Sequence, residues 1–363
     1  MSTTSAPRPR HRRTAVLAAV CAAAFALTGC GLRLETPPPT EPSPDATEQV
    51  RADTVDDALE LAEIAAALSR DASPDVLTAL TLVQESGATH AEQLGGVYDS
   101  GLPQPTDSPT TEAPAAVDTA EGLMTLLGST SADARSDALT ADDPQTARLL
   151  AVIAASRAQQ ATQLARALGV DAPSFDTVAT ESADTDAAGA ADGSGSGDGS
   201  ATAAPTDTGS TLNTTTLTAL IAAEDQAGFG YEVAAARLSD DARSAALNAA
   251  RSHRAQAEQW AQTAGVSGTG QDPRRVSYDL GATPGDAEAV RTFCAGLERQ
   301  LTDVYADAIL ASDAATADDP GTERAVLVDR LRTAALDLMR WGGTATALPG
   351  MDMLVEPEPT ATS

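Results

Sequence analysis

The chain has 363 residues, with 52 Asp and Glu against 23 Lys and Arg, for a formal net charge of −29. Every cation is Arg and Lys does not occur. Phosphate contacts need clustered cations, so no nucleic-acid partner bound through a basic face is expected. Aromatic residues make up only 3% of the chain, which argues against a β-sandwich or barrel, because strands favour aromatic and β-branched residues. Three cysteines are too few for a disulfide framework. Richness in Ala, Leu and Asp points to an all-α fold.

The N-terminus reads as an address. Arg8, Arg10, Arg12 and Arg13 make a cationic start, and Thr14 to Leu27 form an apolar run. That run is too short to span a bilayer as a mature helix but suits the core of a signal peptide. It ends in Leu27-Thr28-Gly29-Cys30, which resembles the bacterial lipobox. The resemblance implies that residues 1–29 are a lipoprotein signal peptide and that the Cys30 thiol takes a diacylglycerol. Two or more acyl chains, at about 0.8 kcal/mol per buried CH₂, anchor a protein well. The membrane is therefore an expected partner, through the N-terminal lipid and on the extracytoplasmic face. His11-Arg12-Arg13-Thr14-Ala15-Val16 is also similar to a twin-arginine export signal, although any basic leader can carry an Arg pair. Cleavage before Cys30 would leave Cys294 as the only other cysteine, read here as a small apolar residue on a helix.

Residues 30–53 carry three consecutive Pro and two more nearby, an extended tether. From 54 to 172 the pattern is helical. Thr54 is expected to cap a helix through Arg70, and Ser73-Pro74 to start a second. Along that second helix Val76, Leu80, Val83, Gly87, His90, Leu94 and Val97 share a face. Two more helices are predicted over 115–139 and 144–168. Residues 173–211 hold Gly, Ser, Ala, Thr and Asp with almost no large apolar side chain, a composition that cannot offset ordering entropy and reads as a flexible acidic linker. Four further helices are predicted over 214–237, 240–264, 285–313 and 321–342, within a second unit of 212–347. The stretch 348–363 is expected to be a disordered tail.

The two halves look related. Ala141-Asp142-Asp143-Pro144-Gln145-Thr146-Ala147-Arg148 and Ala317-Asp318-Asp319-Pro320-Gly321-Thr322-Glu323-Arg324 agree in most places, and each opens a fourth helix. Asp at the N-cap and Pro at the first helical position suit that place. His90 and His253, each in the second helix of its half, are a second echo. Four helices per half suggest two four-helix bundles joined by the linker. Seven aromatic residues lie after residue 211 and only Tyr98 and Phe175 between Cys30 and that point. The C-terminal bundle is therefore expected to be the better packed, with the N-terminal one looser or leaning on it.

Several motifs carry a family resemblance: Glu224-Asp225-Gln226-Ala227-Gly228-Phe229-Gly230-Tyr231, Ala235-Ala236-Arg237-Leu238, His253-Arg254, Arg332-Thr333-Ala334-Ala335 and Arg340-Trp341. The stretch 212–347 resembles the ferritin-like domain of unknown function found mainly in actinobacterial proteins. The resemblance implies a ferritin-like four-helix bundle and supplies no activity. Arg-only basicity and Ala richness agree with a high-GC actinobacterial source.

The wider ferritin-like class holds two metals with one Glu from each of two helices and a Glu-x-x-His from each of the other two. Glu224 lies on the stripe of Leu217, Leu220, Gly228, Tyr231, Ala235 and Leu238, so it should face the core. His253 lies with Ala246, Ala250, Ala257 and Trp260, also inward, but its Glu-x-x-His partner is missing because position 250 is Ala. Glu298 borders the stripe of its helix, the fourth helix has no His, and Asp329 is expected to face away from the Leu327, Leu331, Ala334, Leu338 stripe. Two readings follow. Glu224 and His253 form a buried polar pair, with Tyr231 or an Arg as a further partner. Alternatively Glu224, His253 and Glu298 hold one Fe or Mn ion with water. His90, with no inward carboxylate opposite it, reads as a satisfied core histidine.

No phosphate loop, Cys-x-x-Cys or nucleophile elbow occurs. The expectation is a lipid-anchored, non-enzymatic binding or scaffold protein of the cell envelope with no cofactor and an envelope protein partner. The rival is a degenerate ferritin-like metal storage or redox protein.

Overall fold

In the computed structural model the described residues are 44–97, 117–175, 210–281, 285–315 and 322–351. They are all-helical. The N-terminal half holds α1 (Ala46–Leu68), α2 (Pro74–Gln93), α3 (Ala120–Thr140) and α4 (Pro144–Leu168). The C-terminal half holds α5 (Thr214–Ala235), α6 (Asp240–Thr263), α7 (Ala287–Ile309) and α8 (Thr322–Arg340). The signal peptide, Cys30, Tyr98 and Ala317 to Gly321 lie outside the described residues, as do 176–209 of the linker and 352–363 of the tail. None of the described helices is long and apolar enough to cross a membrane.

The helix starts follow their capping chemistry. Asp143 accepts from the Thr146 amide with Pro144 in the first turn, as its motif predicts. Asn213 and Asp286 cap α5 and α7 in the same way. One start is corrected. α1 begins at Ala46, capped by Asp45 through the Glu48 amide, and not at Thr54. Thr54 sits inside the helix, buried, with its hydroxyl donating to the Val50 carbonyl at 2.8 Å. The extra turns form because Val50 packs against the core, which shortens the tether. The tail is corrected too: Leu348 and Met351 are buried in the main core.

In the N-terminal half α1 packs on α2 and α3, and α4 packs on α2 and α3. Gly87 makes the α1–α2 approach possible, because a Cβ there would run into the Ala58 carbonyl and the Ala62 side chain. In the C-terminal half α5 packs on α6 and α7, and α7 packs on α8. The halves then share one core. Leu150, Ala151, Val152 and Ala155 of α4 pack in one cluster with Leu301 and Tyr305 of α7 and Leu327, Val328 and Leu331 of α8. Nearly every residue of α4 from Ala147 to Ala161 is buried. The N-terminal half thus leans on the C-terminal one through its last helix.

The contact is reciprocal. α4 meets α7 and α8, and α8 meets α4 and α3. Arg324 at the start of α8 donates to the Ala138 and Ala141 carbonyls at the end of α3. Arg148, its counterpart in the matching octet, reaches from the start of α4 to Asp307 near the end of α7 at 3.4 Å. The register that lays Ala141 on Ala317 also lays Gln159 on Ala335, and Gln159 Nε2 donates to the Ala335 carbonyl at 2.7 Å. Residues that correspond to each other touch where a local two-fold axis passes between two copies. After α8 the chain runs back over the N-terminal half. Ser156 and His90 bond the Thr346 and Ala347 carbonyls. Gly350, at φ 83°, passes close to the Thr302 carbonyl where a side chain would clash.

Candidate polar centre

The C-terminal half buries a polar centre to which all four of its helices contribute. Each contributes two residues two turns apart on one face: Glu224 and Tyr231 on α5, His253 and Trp260 on α6, Glu298 and Tyr305 on α7, Arg330 and Asp337 on α8. The tyrosines cross. The Tyr231 hydroxyl of α5 donates to Glu298 Oε1 of α7 at 2.5 Å. The Tyr305 hydroxyl of α7 donates to Glu224 Oε1 of α5 and accepts from Trp260 Nε1 at 3.3 Å. His253 lies between the carboxylates, with Nδ1 2.7 Å from Glu224 Oε2 and Nε2 3.2 Å from Glu298 Oε1. Its ring stacks on Tyr231 with centroids 5.3 Å apart. Arg330 donates to Glu224 Oε1 at 3.0 Å.

The electrostatics follow from these contacts. Burial pushes the Glu224 carboxyl up, but Arg330, His253 and Tyr305 outweigh it and hold the group down at about 2. Burial pushes His253 down, yet Glu224 and Glu298 raise it to about 10, so it is an imidazolium that donates from both nitrogens. Both tyrosines are held well above the ordinary phenol range, first by burial and then by the carboxylates they bond. Asp337 is raised to about 6 by burial and by the Glu298 charge. Cys294, one turn before Glu298, is buried and its thiol is pushed up to about 12, chiefly by burial.

These positions match part of what the sequence predicts. Glu224 and His253 are both buried and in contact. Glu298 is a correction: it is 1% exposed and faces the centre, because Tyr231 and His253 draw it in from the border of its stripe. Asp329 turns from the C-terminal stripe, as its spacing predicts, and points into α3, where it is buried and accepts from Arg135 at 2.6 and 2.8 Å and from Arg332 at 3.0 Å. Sequence reasoning missed Tyr305 and Arg330. The signal for Tyr305 was available, since Glu and Tyr recur at the same spacing in α5 and α7.

The donor set does not fit a metal ion. Both Glu224 oxygens and both His253 nitrogens are engaged by protein groups, and the Arg330 guanidinium already sits on Glu224. Among the described residues no group of three or more His, Cys, Asp or Glu is arranged to hold one.

A second layer lies outside the first. Asp225, next to Glu224, accepts from Arg254, next to His253, and from the Arg275 amide at 2.9 Å and the Tyr278 hydroxyl at 2.7 Å. The same two helices are thus joined once inside and once outside, and the outer joint straps down the loop that follows α6.

The N-terminal half has a different centre. Arg157 of α4 is fully buried and donates to Asp57 at 3.1 Å and to the Thr130 and Thr54 carbonyls at 3.0 and 3.2 Å. His90 bonds the Ala347 carbonyl at 2.7 Å. Burial and the Arg157 charge push it down to about 3, so it is neutral.

Residues 216–353 match the family described as a domain of unknown function, DUF4439. The match covers α5 to α8 and continues past α8 into the returning segment, beyond the 347 at which the resemblance was expected to end. No curated protein and no solved structure matches the chain.

Proposed function

We propose that the chain is a lipid-anchored, extracytoplasmic, ferritin-like helical protein that binds or scaffolds at the cell envelope and does not catalyse. The observation that carries the non-catalytic reading is the engagement of Glu224 and His253 by Arg330, Tyr305 and Glu298, which leaves them no free position for a metal. Buried charge that is paired and hydrogen-bonded in this way serves the fold. The lipobox-like Leu27-Thr28-Gly29-Cys30 supports the anchor, and the Pro-rich segment after it supports a tether.

Two measurements test the reading. Fractionation of cells expressing the full chain and a Cys30→Ala variant is expected to place the first with membranes and the second in the soluble fraction. Retention of the variant on membranes would overturn the lipid anchor. For the centre, the protein is exposed to Fe(II), Mn(II) and Zn(II), desalted, and analysed by mass spectrometry beside a Glu224→Ala/His253→Ala variant. No retained metal is expected. Near-stoichiometric metal that the variant loses would move the protein to the metal-dependent class.

A further inference from the structure

The loop after α6 has firm anchors and a free centre. On one side Arg274 donates through Nε to Asp272 at 2.9 Å and through a second nitrogen to Glu258 of α6. Its amide bonds the same Asp272 at 3.1 Å. On the other side the Tyr278 ring lies on Phe229 of α5, with centroids 6.0 Å apart. Asp225 of α5 joins the two sides. One of its oxygens accepts from both the Arg275 amide at 2.9 Å and the Tyr278 hydroxyl at 2.7 Å.

Between the anchors the chain is open. Arg275, Val276 and Ser277 are all exposed. Val276 is 99% exposed, the most of any large apolar side chain among the described residues. Among the described residues no hydrogen bond engages the backbone of Val276 or Ser277, and no carboxylate pairs with the Arg275 guanidinium. Free N–H and C=O groups in an exposed, non-helical segment are what an added strand pairs with.

The cations decide what can use this segment. Lys does not occur, and Arg274-Arg275 is the only Arg pair after residue 13. Residues 98–116, 176–209 and 352–363 carry no Arg at all. Among the described residues every Arg lies in an α-helix except Arg70, Arg237, Arg274 and Arg275. A helical backbone must unwind before it can lie extended in a cleft. Arg70 sits in a 3₁₀ turn and is followed by Asp71, and Arg237 is followed by Leu238, which is buried in a core cluster. The Arg274 guanidinium is already held by Asp272 and Glu258. Arg275 alone joins an open backbone to an unengaged cation. Proteinases of the trypsin type read such a cation with a carboxylate in the pocket that takes the residue before the cut.

We propose that an arginine-specific endoproteinase cuts the folded chain at the Arg275–Val276 bond, with Asp225 as the latch that sets the rate. Water adds across the bond, its oxygen going to the Arg275 carbonyl carbon and a proton to the Val276 nitrogen. The Arg275 amide must leave Asp225 before the segment can straighten, so the cut waits on a local opening. The helices on either side of the cut stay together, because α5, α6 and α7 share a core cluster and His253 holds Glu298 across it. The site is separate from the polar centre and does not depend on the lipid anchor.

The test is limited digestion of the full chain, purified in detergent, with a low ratio of trypsin. Products are read by intact mass spectrometry and N-terminal sequencing. The first cut within 44–351 is expected to expose Val276 as a new N-terminus, and the two products are expected to co-elute on gel filtration. Arg275→Gln, an exposed change that keeps Arg274, is expected to remove this cut. Tyr278→Phe loses one latch bond but keeps its ring on Phe229, and is expected to speed the cut about tenfold, the effect of one hydrogen bond to a charged group on the open population. A first cut after Arg70, Arg237 or Arg274, or products that separate, would overturn the site. So would cutting of Arg275→Gln after Arg274 at the wild-type rate. An unchanged rate in Tyr278→Phe would overturn the latch.

Discussion

His90 and His253 sit in the second helices of the two four-helix halves, and their surroundings hold them in opposite states. His90 faces a buried arginine and one backbone carbonyl, and is neutral. His253 faces two buried carboxylates and is charged. The scaffold around them is similar, with a first-helix carboxylate paired to a fourth-helix arginine in each half: Asp57 with Arg157, and Glu224 with Arg330. The difference lies in what reaches the histidine. Glu224 of α5 and Glu298 of α7 both touch His253, with Glu224 the stronger influence, whereas His90 bonds the Ala347 carbonyl and lies near the Arg157 charge. Carboxylates in direct contact change a core histidine from a neutral donor into a bridging cation.

The largest expected effect separates the two histidines directly. His253→Gln leaves two buried carboxylates without their shared cation and is expected to destabilise the protein by about 3–5 kcal/mol. His90→Gln keeps a donor for Ala347 and should cost about 1 kcal/mol. Urea unfolding of both variants measures this, and equal losses would break the comparison.

Removing the buried lock between the halves comes next. Asp329→Asn weakens the bidentate contact with Arg135 and the contact with Arg332, and is expected to cost about 2 kcal/mol. If instead the halves are held mainly by α4 packing, a smaller loss in urea unfolding would show it.

The pH dependence sharpens the contrast further. His90 has its pKa lowered from 6.5 to about 3 in the folded protein, so unfolding takes up a proton between those values. Its contribution to stability is complete above pH 6.5 and is lost as the pH falls towards 3. His253 has its pKa raised from 6.5 to about 10, so its contribution is complete below pH 6.5 and is lost as the pH rises towards 10. Each group sets a slope of up to about 1.4 kcal/mol per pH unit within its window. Stability difference curves, wild type minus each Gln variant, should therefore slope in opposite directions and in different windows. A shared window would show that the two sites do not differ as described.

The smallest effects belong to the matched octets. Asp143→Ala removes the α4 cap and is expected to cost about 1 kcal/mol. Arg148→Ala removes a pair with the exposed Asp307 and should cost less than about 1 kcal/mol. Thermal unfolding that ranks these two above His253→Gln would place the main stabilisation at the junction.

Much of the architecture was legible in the order of residues. Apolar spacing with Asp-Pro and Asn-Thr caps marks helix type and most boundaries, because those signals act within one or two turns. α1 escaped its predicted start because a core contact of Val50 rewarded extra turns that the Pro-rich context did not advertise. Glu224 and His253 could be placed inward from periodicity alone. Glu298 could not, because a carboxylate at the border of a stripe goes where its donors are, and those donors belong to other helices.

The sequence by itself determined that the protein is helical, that its halves share an Asp-Asp-Pro helix-start motif and that a Glu and a His face the core of the second, since each of these is written in short-range spacing. Only the tertiary structure decided that the halves share a core through α4 and that Arg330 and two crossing tyrosines engage the carboxylates. The physical reason is that charge balance and donor count at a buried site are sums over side chains from separate helices, and no stretch of chain carries the sum.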